Sequence, residues 1–199
     1  MLITDRKAAR HPIELVCRRA LEGGADAIQI REKDLTEREL FELACTLRRL
    51  LSGRKGFLII NHSVDVALAS RADGVHLGWR SLGAADVRRL VGNRMLIGVS
   101  VHSIGEAIRA QDEGADYVQF GPIFPTKSKM GLVEPKGLGS LSALKRQLSI
   151  PVIAVGGIKP ENVRDVIAAG ADGVAVISAI VRAEDSVEAA SELRRRMES

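Results

Sequence analysis

The sequence predicts an α/β fold, a single (β/α)8 TIM barrel spanning residues 1–199, and three observations carry that prediction. The first is an internal repeat: GGADAIQI from Gly23, SRADGVHL from Ser70, EGADYVQF from Glu113 and AGADGVAV from Ala169 share an Ala-Asp pair followed by an apolar strand pattern. Each copy ends a helical pattern and opens a strand, and one further helix and strand fit between successive copies, so the unit is (βα)2 and four copies make eight. The second is the near-uniform shortness of the connections. The third is that the repeated strands are alike in hydrophobicity, whereas the edge and centre strands of an open sheet differ.

The strands are expected at Leu2 to Thr4, Ala27 to Arg31, Phe57 to Asn61, Gly74 to Leu77, Met95 to Val99, Tyr117 to Gly121, Val152 to Val155 and Gly173 to Ile177. Helical patterns separate them. Ile13, Val16, Cys17, Ala20 and Leu21 form the buried stripe of the first helix. Thr36 with Glu39, and Ser103 with Glu106, have capping-box spacing at the starts of the second and fifth. Pro160 suits the first turn of the seventh. The Ala-Asp turns fall at the N-terminal ends of strands, the stability face of a barrel, and are assigned no catalytic role.

Composition narrows the function. Hydrophobic residues make up 46% of the chain and aromatics only 3%, so the core is aliphatic. The net charge of +4 comes with arginines near helix ends (Arg48/Arg49, Arg88/Arg89, Arg194 to Arg196), where cations complement the helix dipole. With one Trp and one Tyr to stack on bases, a nucleic-acid surface is not expected. Cys17 and Cys45 form neither a metal motif nor a redox pair. The absence of a long apolar run or leader pattern predicts a cytoplasmic protein with no membrane partner.

In a barrel the site is built from residues that follow each strand. Those positions hold Gln29, Arg31 and Lys33; Asn61 and His62; His76; Ser100 and His102; Thr126, Lys127, Ser128 and Lys129; Gly156 and Gly157; and Ile177 and Ser178. The set is polar and cationic, which suits a small phosphate-bearing substrate. Gly156-Gly157 and Ser178 match the place where barrels bind phosphate through backbone N–H groups. Arg31 and Lys33, two apart, can present a planar fork and a point charge on one side, or can instead pair with Glu32 and Asp34. Histidine is the side-chain type suited to proton transfer near neutrality, which makes His102 and His62 candidates for it.

These residues resemble the thiamin-phosphate synthase superfamily, which includes thiamin-phosphate synthases and TenI-type thiazole tautomerases. The resemblance rests on seven motifs in order: QIREKD (Gln29 to Asp34), the segment around Asn61, DGVHLG (Asp73 to Gly78), IGVSVHS (Ile97 to Ser103), GPIFPTKSK (Gly121 to Lys129), PVIAVGGI (Pro151 to Ile158) and GVAVISAI (Gly173 to Ile180). It implies that Gln29, Arg31, Lys33, Asn61 and Lys129 contact a pyrimidine diphosphate and that Thr126, Ser128, Gly157, Ile177 and Ser178 contact a thiazole phosphate. By the same carry-over, Ser100 lies near the reacting centre. It also implies a homo-oligomer, and Mg2+ if the chain acts as a synthase.

The sequence departs from the synthase pattern where the metal carboxylates are expected: His62 directly follows Asn61, and Ser81 stands after the HLG motif. SVHS, RSL and SKMG look more like the TenI-type branch. The leading expectation is therefore a metal-independent thiazole phosphate tautomerase with no cofactor. In it Gly156, Gly157 and Ser178 hold phosphate, Lys129 or Arg31 holds carboxylate, and His102 or His62 moves the proton. Pro122 stands where some TenI-type enzymes carry a catalytic histidine, which leaves the proton carrier open. The alternatives are a thiamin-phosphate synthase with a cation-rich site and a non-catalytic sensor of thiazole or thiamin phosphate.

Overall fold

The computed structural model describes residues 1–53, 56–126 and 134–198. Its eight strands are β1 (Leu2–Ile3), β2 (Ala27–Ile30), β3 (Phe57–Asn61), β4 (Gly74–Leu77), β5 (Leu96–Val101), β6 (Tyr117–Phe120), β7 (Val152–Val155) and β8 (Gly173–Ala175). They form one parallel sheet in sequence order. It closes on itself: Leu2 bridges Val176 in parallel, with Ile3 N–H donating to Val176 O at 2.9 Å and Val176 N–H to Met1 O at 3.1 Å. The fold is thus a (β/α)8 barrel, as the repeat predicts.

The helices alternate with the strands: α1 (Ile13–Glu22), α2 (Glu37–Leu51), α3 (Val64–Ala69), α4 (Ala84–Val91), α5 (Ile104–Asp112), α6 (Gly137–Lys145), α7 (Val163–Ala168), α8 (Ser178–Val181) and α9 (Ser186–Glu198). Each lays an apolar stripe on the barrel. In α1 the buried residues are Ile13, Val16, Cys17 and Ala20, the i, i+3, i+4, i+7 spacing of one face. No helix among the described residues is long and apolar enough to cross a membrane.

The repeated aspartates explain why the unit is (βα)2. Asp73 Oδ2 accepts from the Leu58 N–H of β3 at 2.7 Å and from Arg48 of α2 at 2.8 Å. Asp116 Oδ2 takes the Ile97 N–H of β5 at 2.7 Å and Arg88 of α4 at 2.5 Å. Asp172 Oδ2 takes the Val152 N–H of β7 at 2.7 Å and Lys145 of α6 at 2.6 Å. In the first copy, Asp26 faces the terminal amine of Met1 at 3.9 Å and Arg194 of α9 at 3.3 Å. Each aspartate therefore satisfies or faces the start of an odd strand together with a cation from the helix before it, so an odd and an even strand fold as one unit.

Element ends differ from the sequence expectation where side chains intervene. Strand β1 stops at Ile3, and Thr4 turns its hydroxyl to accept the Arg31 N–H at 2.9 Å. Strand β2 ends at Ile30, β6 at Phe120 and β8 at Ala175, while β5 starts one residue late at Leu96 and runs on to Val101. The Thr36 capping box forms with both of its bonds. At α5 only half forms: Ser103 Oγ caps the Glu106 N–H, but the Glu106 carboxylate reaches back one residue further, to the His102 N–H at 2.7 Å. Helix α7 begins at Val163, three residues beyond Pro160, because Asn162 Oδ1 accepts the Lys159 N–H at 2.8 Å and holds a turn there.

Cys17 is buried, and burial first, then Glu14 and Glu32, pushes its thiol up to about 12, whereas Cys45 is half-buried. A thiol reagent at neutral pH is expected to label Cys45 alone in the folded chain and both cysteines in denaturant. Counting released chromophore with and without urea checks this.

Candidate active site at the C-terminal face

Two cavities lie at opposite ends of the barrel. The larger, about 390 Å³, is at the N-terminal end among apolar side chains such as Phe57, Leu96, Ile153 and Leu193. The aspartates at its rim are those already bonded to strand starts and helix cations. The smaller, about 110 Å³, is at the C-terminal end and gathers the polar groups. Barrel chemistry sits at this face, so the smaller cavity is the candidate site.

Its floor is built by strand alternation. The even strands contribute Gln29, His76, Gln119 and Ala175, and the odd strands contribute Ile3, Asn61, Ser100 and Val155. In the internal repeat Gln29, His76, Gln119 and Ala175 occupy the same third position of AIQI, GVHL, YVQF and GVAV. Reading only the residues after each strand misses Gln119 and undervalues His76. The aligned repeat is the signal that finds them, because a polar residue at an inward position of an apolar strand has to face the cavity.

A hydrogen-bonded string crosses this floor. His76, 1% exposed, has Nε2 at 2.8 Å from Ser100 Oγ and Nδ1 at 3.3 Å from the Tyr117 hydroxyl, with the two rings stacked at 5.8 Å. Burial first, then Asp116, raises the Tyr117 pKa, so the phenol stays protonated. When it donates to Nδ1, the Nε2–H donates to Ser100, and the Ser100 O–H is left to donate into the cavity. Gly98 makes room for this ring: a Cβ there would lie 2.1 Å from Tyr117 Cζ. Gln29 and Gln119 both point amide N–H groups at the Met1 thioether, at 3.7 and 3.1 Å.

One wall is the glycine turn after β7. Gly156 and Gly157 have φ of 99° and 66°, and a Cβ on either would lie within 2.7 Å of Pro122 or Phe124 in the loop after β6. Their carbonyls accept from the Phe124 N–H at 3.1 Å and Asn162 Nδ2–H at 3.0 Å, so what they can offer a ligand is N–H. Ile177, Ser178 and Thr126 complete this side. Lys127, Ser128 and Lys129 lie outside the described residues.

The opposite wall is cationic. Arg31 lines the cavity, and its pKa is lowered chiefly by burial. Lys33 is held below its ordinary value first by Arg31, then by burial and Arg80, with Asp5 acting in the other direction. The alternative pairing of these cations with their sequence neighbours does not form, since Glu32 and Asp34 are bonded to Arg6 instead. His62 stands among these charges rather than on the cavity floor. Its φ is 69°, its N–H donates to His76 O at 2.9 Å, and its Nδ1 lies 2.5 Å from Ser81 Oγ, which also accepts the Gly78 N–H at 3.0 Å. His102 also stands off the floor, with Nδ1–H donating to Gly121 O at 2.5 Å, so it tethers the start of the loop after β6.

Burial, followed by Arg31, Lys33 and Arg80, depresses the pKa of His62. At neutral pH it is uncharged. Below about 6.5 the unfolded chain takes up this proton before the folded one does, so the stability present above that pH is lost as the pH falls. An NMR titration of the His62 ring is expected to give a midpoint below that of a free histidine, and one that rises when an anion occupies the cationic wall.

The Mg2+ that the resemblance implies does not fit these donors. Magnesium takes oxygen ligands, chiefly carboxylates, in octahedral geometry. Here an imidazole and a hydroxyl are bonded to each other among Arg31, Lys33 and Arg80. Among the described residues no three or more His, Cys, Asp or Glu side chains are gathered as a metal site.

A closed barrel with a neutral polar floor between a cationic wall and a glycine turn defines a (β/α)8 protein whose candidate site lies at its C-terminal face. The family model of thiamine monophosphate synthase matches residues 1–180, and the chain belongs to that family. It is 48% identical over 193 residues to a putative thiamine-phosphate synthase of Geobacter sulfurreducens, covering 96% of this chain and 91% of the relative. It is likewise 48% identical over 194 residues to the thiamine-phosphate synthase of Chloroflexus aurantiacus, covering 97% and 89%. The solved thiamine phosphate pyrophosphorylase of Pyrococcus furiosus superposes with a TM-score of 0.92 at 41% identity, covering 99% of this chain and 94% of that one. Membership places the chain among the enzymes of thiamin biosynthesis. The comparisons do not support the tautomerase that the sequence departures put first; the names of these relatives favour the synthase.

Proposed function

We propose that the chain is a thiamin-phosphate synthase, joining hydroxymethylpyrimidine diphosphate to thiazole phosphate. The observation that carries this reading is the order of three surfaces across one cavity: cationic wall, neutral hydrogen-bonding floor, glycine turn. A substrate pair with a diphosphate at one end, two heteroaromatic rings in the middle and a phosphate at the other end matches that order. The relatives' names supply the reaction.

In the coupling, the carbon–oxygen bond between the pyrimidine methylene and the diphosphate breaks with its electron pair leaving on the diphosphate, and the thiazole nitrogen forms the new carbon–nitrogen bond. Arg31 and Lys33 bind the group that gains charge, where stabilisation is most effective. The Ser100 hydroxyl and the amides of Gln29, Gln119 and Asn61 orient the rings. Thr126, Gly156, Gly157, Ile177 and Ser178 hold the thiazole phosphate; the family pattern adds Ser128 to that group and Lys129 to the residues that contact the diphosphate. His62 and His102 receive no proton-transfer role, because the coupling needs none at the bond that forms.

Incubating both substrates with the protein and measuring thiamin phosphate together with released pyrophosphate tests the reading. Equal formation of both products supports it. Their absence, alongside faster aromatisation of thiazole carboxylate phosphate than in buffer, would replace it with the tautomerase.

A further inference from the structure

The disagreement between the donors on the cationic wall and a magnesium site has a consequence for how this chain handles diphosphate. We propose that it binds the diphosphate group without a divalent cation, on Arg31, Lys33 and Arg80, with the hydrogen-bonded pair His62 and Ser81 closing the place where a metal would stand. This rests on the synthase reading and says how that enzyme neutralises its leaving group.

Four observations carry it. Arg31, on the cavity wall, follows β2, where Ile30 pairs with Ile60, so the next pair of positions brings Arg31 level with Asn61 and one residue from His62. Arg31, Lys33 and Arg80 all act electrostatically on His62, so three cationic side chains from the loops after β2 and β4 share one neighbourhood. The nearby acids do not cancel them. Glu32, which acts electrostatically on Arg31, has both carboxylate oxygens bonded to the Arg6 N–H, at 3.1 and 3.2 Å, and Asp34 is paired with Arg6 and Lys7. Asp5, which also acts on Arg31 and acts on Lys33, accepts the Ala8 N–H at 3.1 Å. The wall therefore carries surplus positive charge in the free protein.

The fourth observation is the closed pair itself. Ser81 Oγ accepts the Gly78 N–H, and its short bond to His62 Nδ1 uses the imidazole nitrogen that faces it. Gly78 lies close against the ring, since a Cβ there would lie 2.7 Å from His62 Cε1. An imidazole and a hydroxyl engaged in this way are poor magnesium donors, and the like charges around them repel a second cation. The same charges attract a polyanion, whose binding relieves their mutual repulsion. Arg80 is poised for this at the rim, its guanidinium lying 4.6 Å from the centre of the exposed Trp79 ring.

Calorimetric titration of the full chain with inorganic pyrophosphate tests the proposal, once in EDTA and once in excess Mg2+. Binding is expected in EDTA, with Mg2+ tightening it by less than about threefold and Arg80→Ala weakening it by about tenfold or more. The double variant His62→Asp, Ser81→Asp is expected to reverse the pattern, losing binding in EDTA and gaining it with Mg2+. Pyrophosphate binding that appears only with Mg2+, or an Arg80→Ala variant that binds as tightly as the parent in EDTA, overturns the proposal. The two readings fail separately: thiamin phosphate made by a chain that binds pyrophosphate only with Mg2+ sinks this inference alone, and metal-free binding without product sinks the synthase alone.

Discussion

Alanine at Gly121 is expected to destabilise the barrel by about 3 kcal/mol or more, enough to leave a sizeable unfolded fraction under mild denaturant. The added Cβ would sit 2.0 Å from the Val155 carbonyl oxygen and 3.0 Å from its carbon. That oxygen is already accepting the Ile123 N–H at 2.9 Å, so neither backbone can yield without losing a bond between the two strand ends. The contact is also where the loop after β6 meets the glycine turn after β7, so a chain that survives the substitution should bind thiazole phosphate more weakly. Gly139 provides the control. A Cβ there meets nothing within 4 Å, and alanine inside α6 should raise stability by roughly 0.5–1 kcal/mol. Urea unfolding of both variants checks the pair, and a Gly121→Ala midpoint equal to that of the parent would show that the close approach is not structural.

Replacing Arg31 by alanine is expected to lower kcat/KM for thiamin phosphate formation by roughly a hundredfold to a thousandfold with little change in stability. The fold should tolerate the change because the contact that fixes Arg31 in place is made by its backbone N–H to Thr4 Oγ1, not by the guanidinium. The loss should fall on kcat as well as KM, since the guanidinium is assigned to charge that grows as the diphosphate departs. Arg31→Lys should recover only part of the rate, because an ammonium cannot reproduce the planar fork. Steady-state kinetics with the urea midpoint as a folding control measures this, and a kcat/KM within about threefold of the parent would remove Arg31 from the mechanism.

Much of the architecture was legible in the residues because it is repeated. Four Ala-Asp pairs at matching positions gave the (βα)2 unit, and the structure makes those pairs the hydrogen-bonding partners of strand starts. Apolar periodicity placed β3, β4 and β7 at their observed bounds, since local pattern and tertiary burial agree there. It missed the ends of β1, β2, β5, β6 and β8 and the start of α7; just after β1 and β5 and just before α7, side chains of Thr4, Glu106 and Asn162 take backbone N–H groups that the pattern alone assigns to regular structure.

The candidate site was legible as an inventory and not as an arrangement. The residues after each strand gave Arg31, Asn61, Ser100, Thr126, Gly156, Gly157, Ile177 and Ser178, all of which line the cavity together with Gln29. The same rule also selected His102 and His62, which the fold turns toward Gly121 O and Ser81 Oγ. It passed over Gln119, which lies inside its strand, and gave His76 a place among the candidates but no role. Spacing fixes which residues reach the C-terminal face, since strand alternation is a local property of the backbone. It does not fix which histidine faces the floor and which is spent on a neighbour, because that depends on loops from different strands meeting: His62 on Ser81, His76 on Ser100 and Tyr117, His102 on Gly121. The sequence by itself determined a fourfold barrel with polar and cationic residues gathered at one face, and only the tertiary structure decided that its cations converge around a closed histidine–serine pair. Charges far apart in the chain interact only once closure of the barrel has brought their loops together.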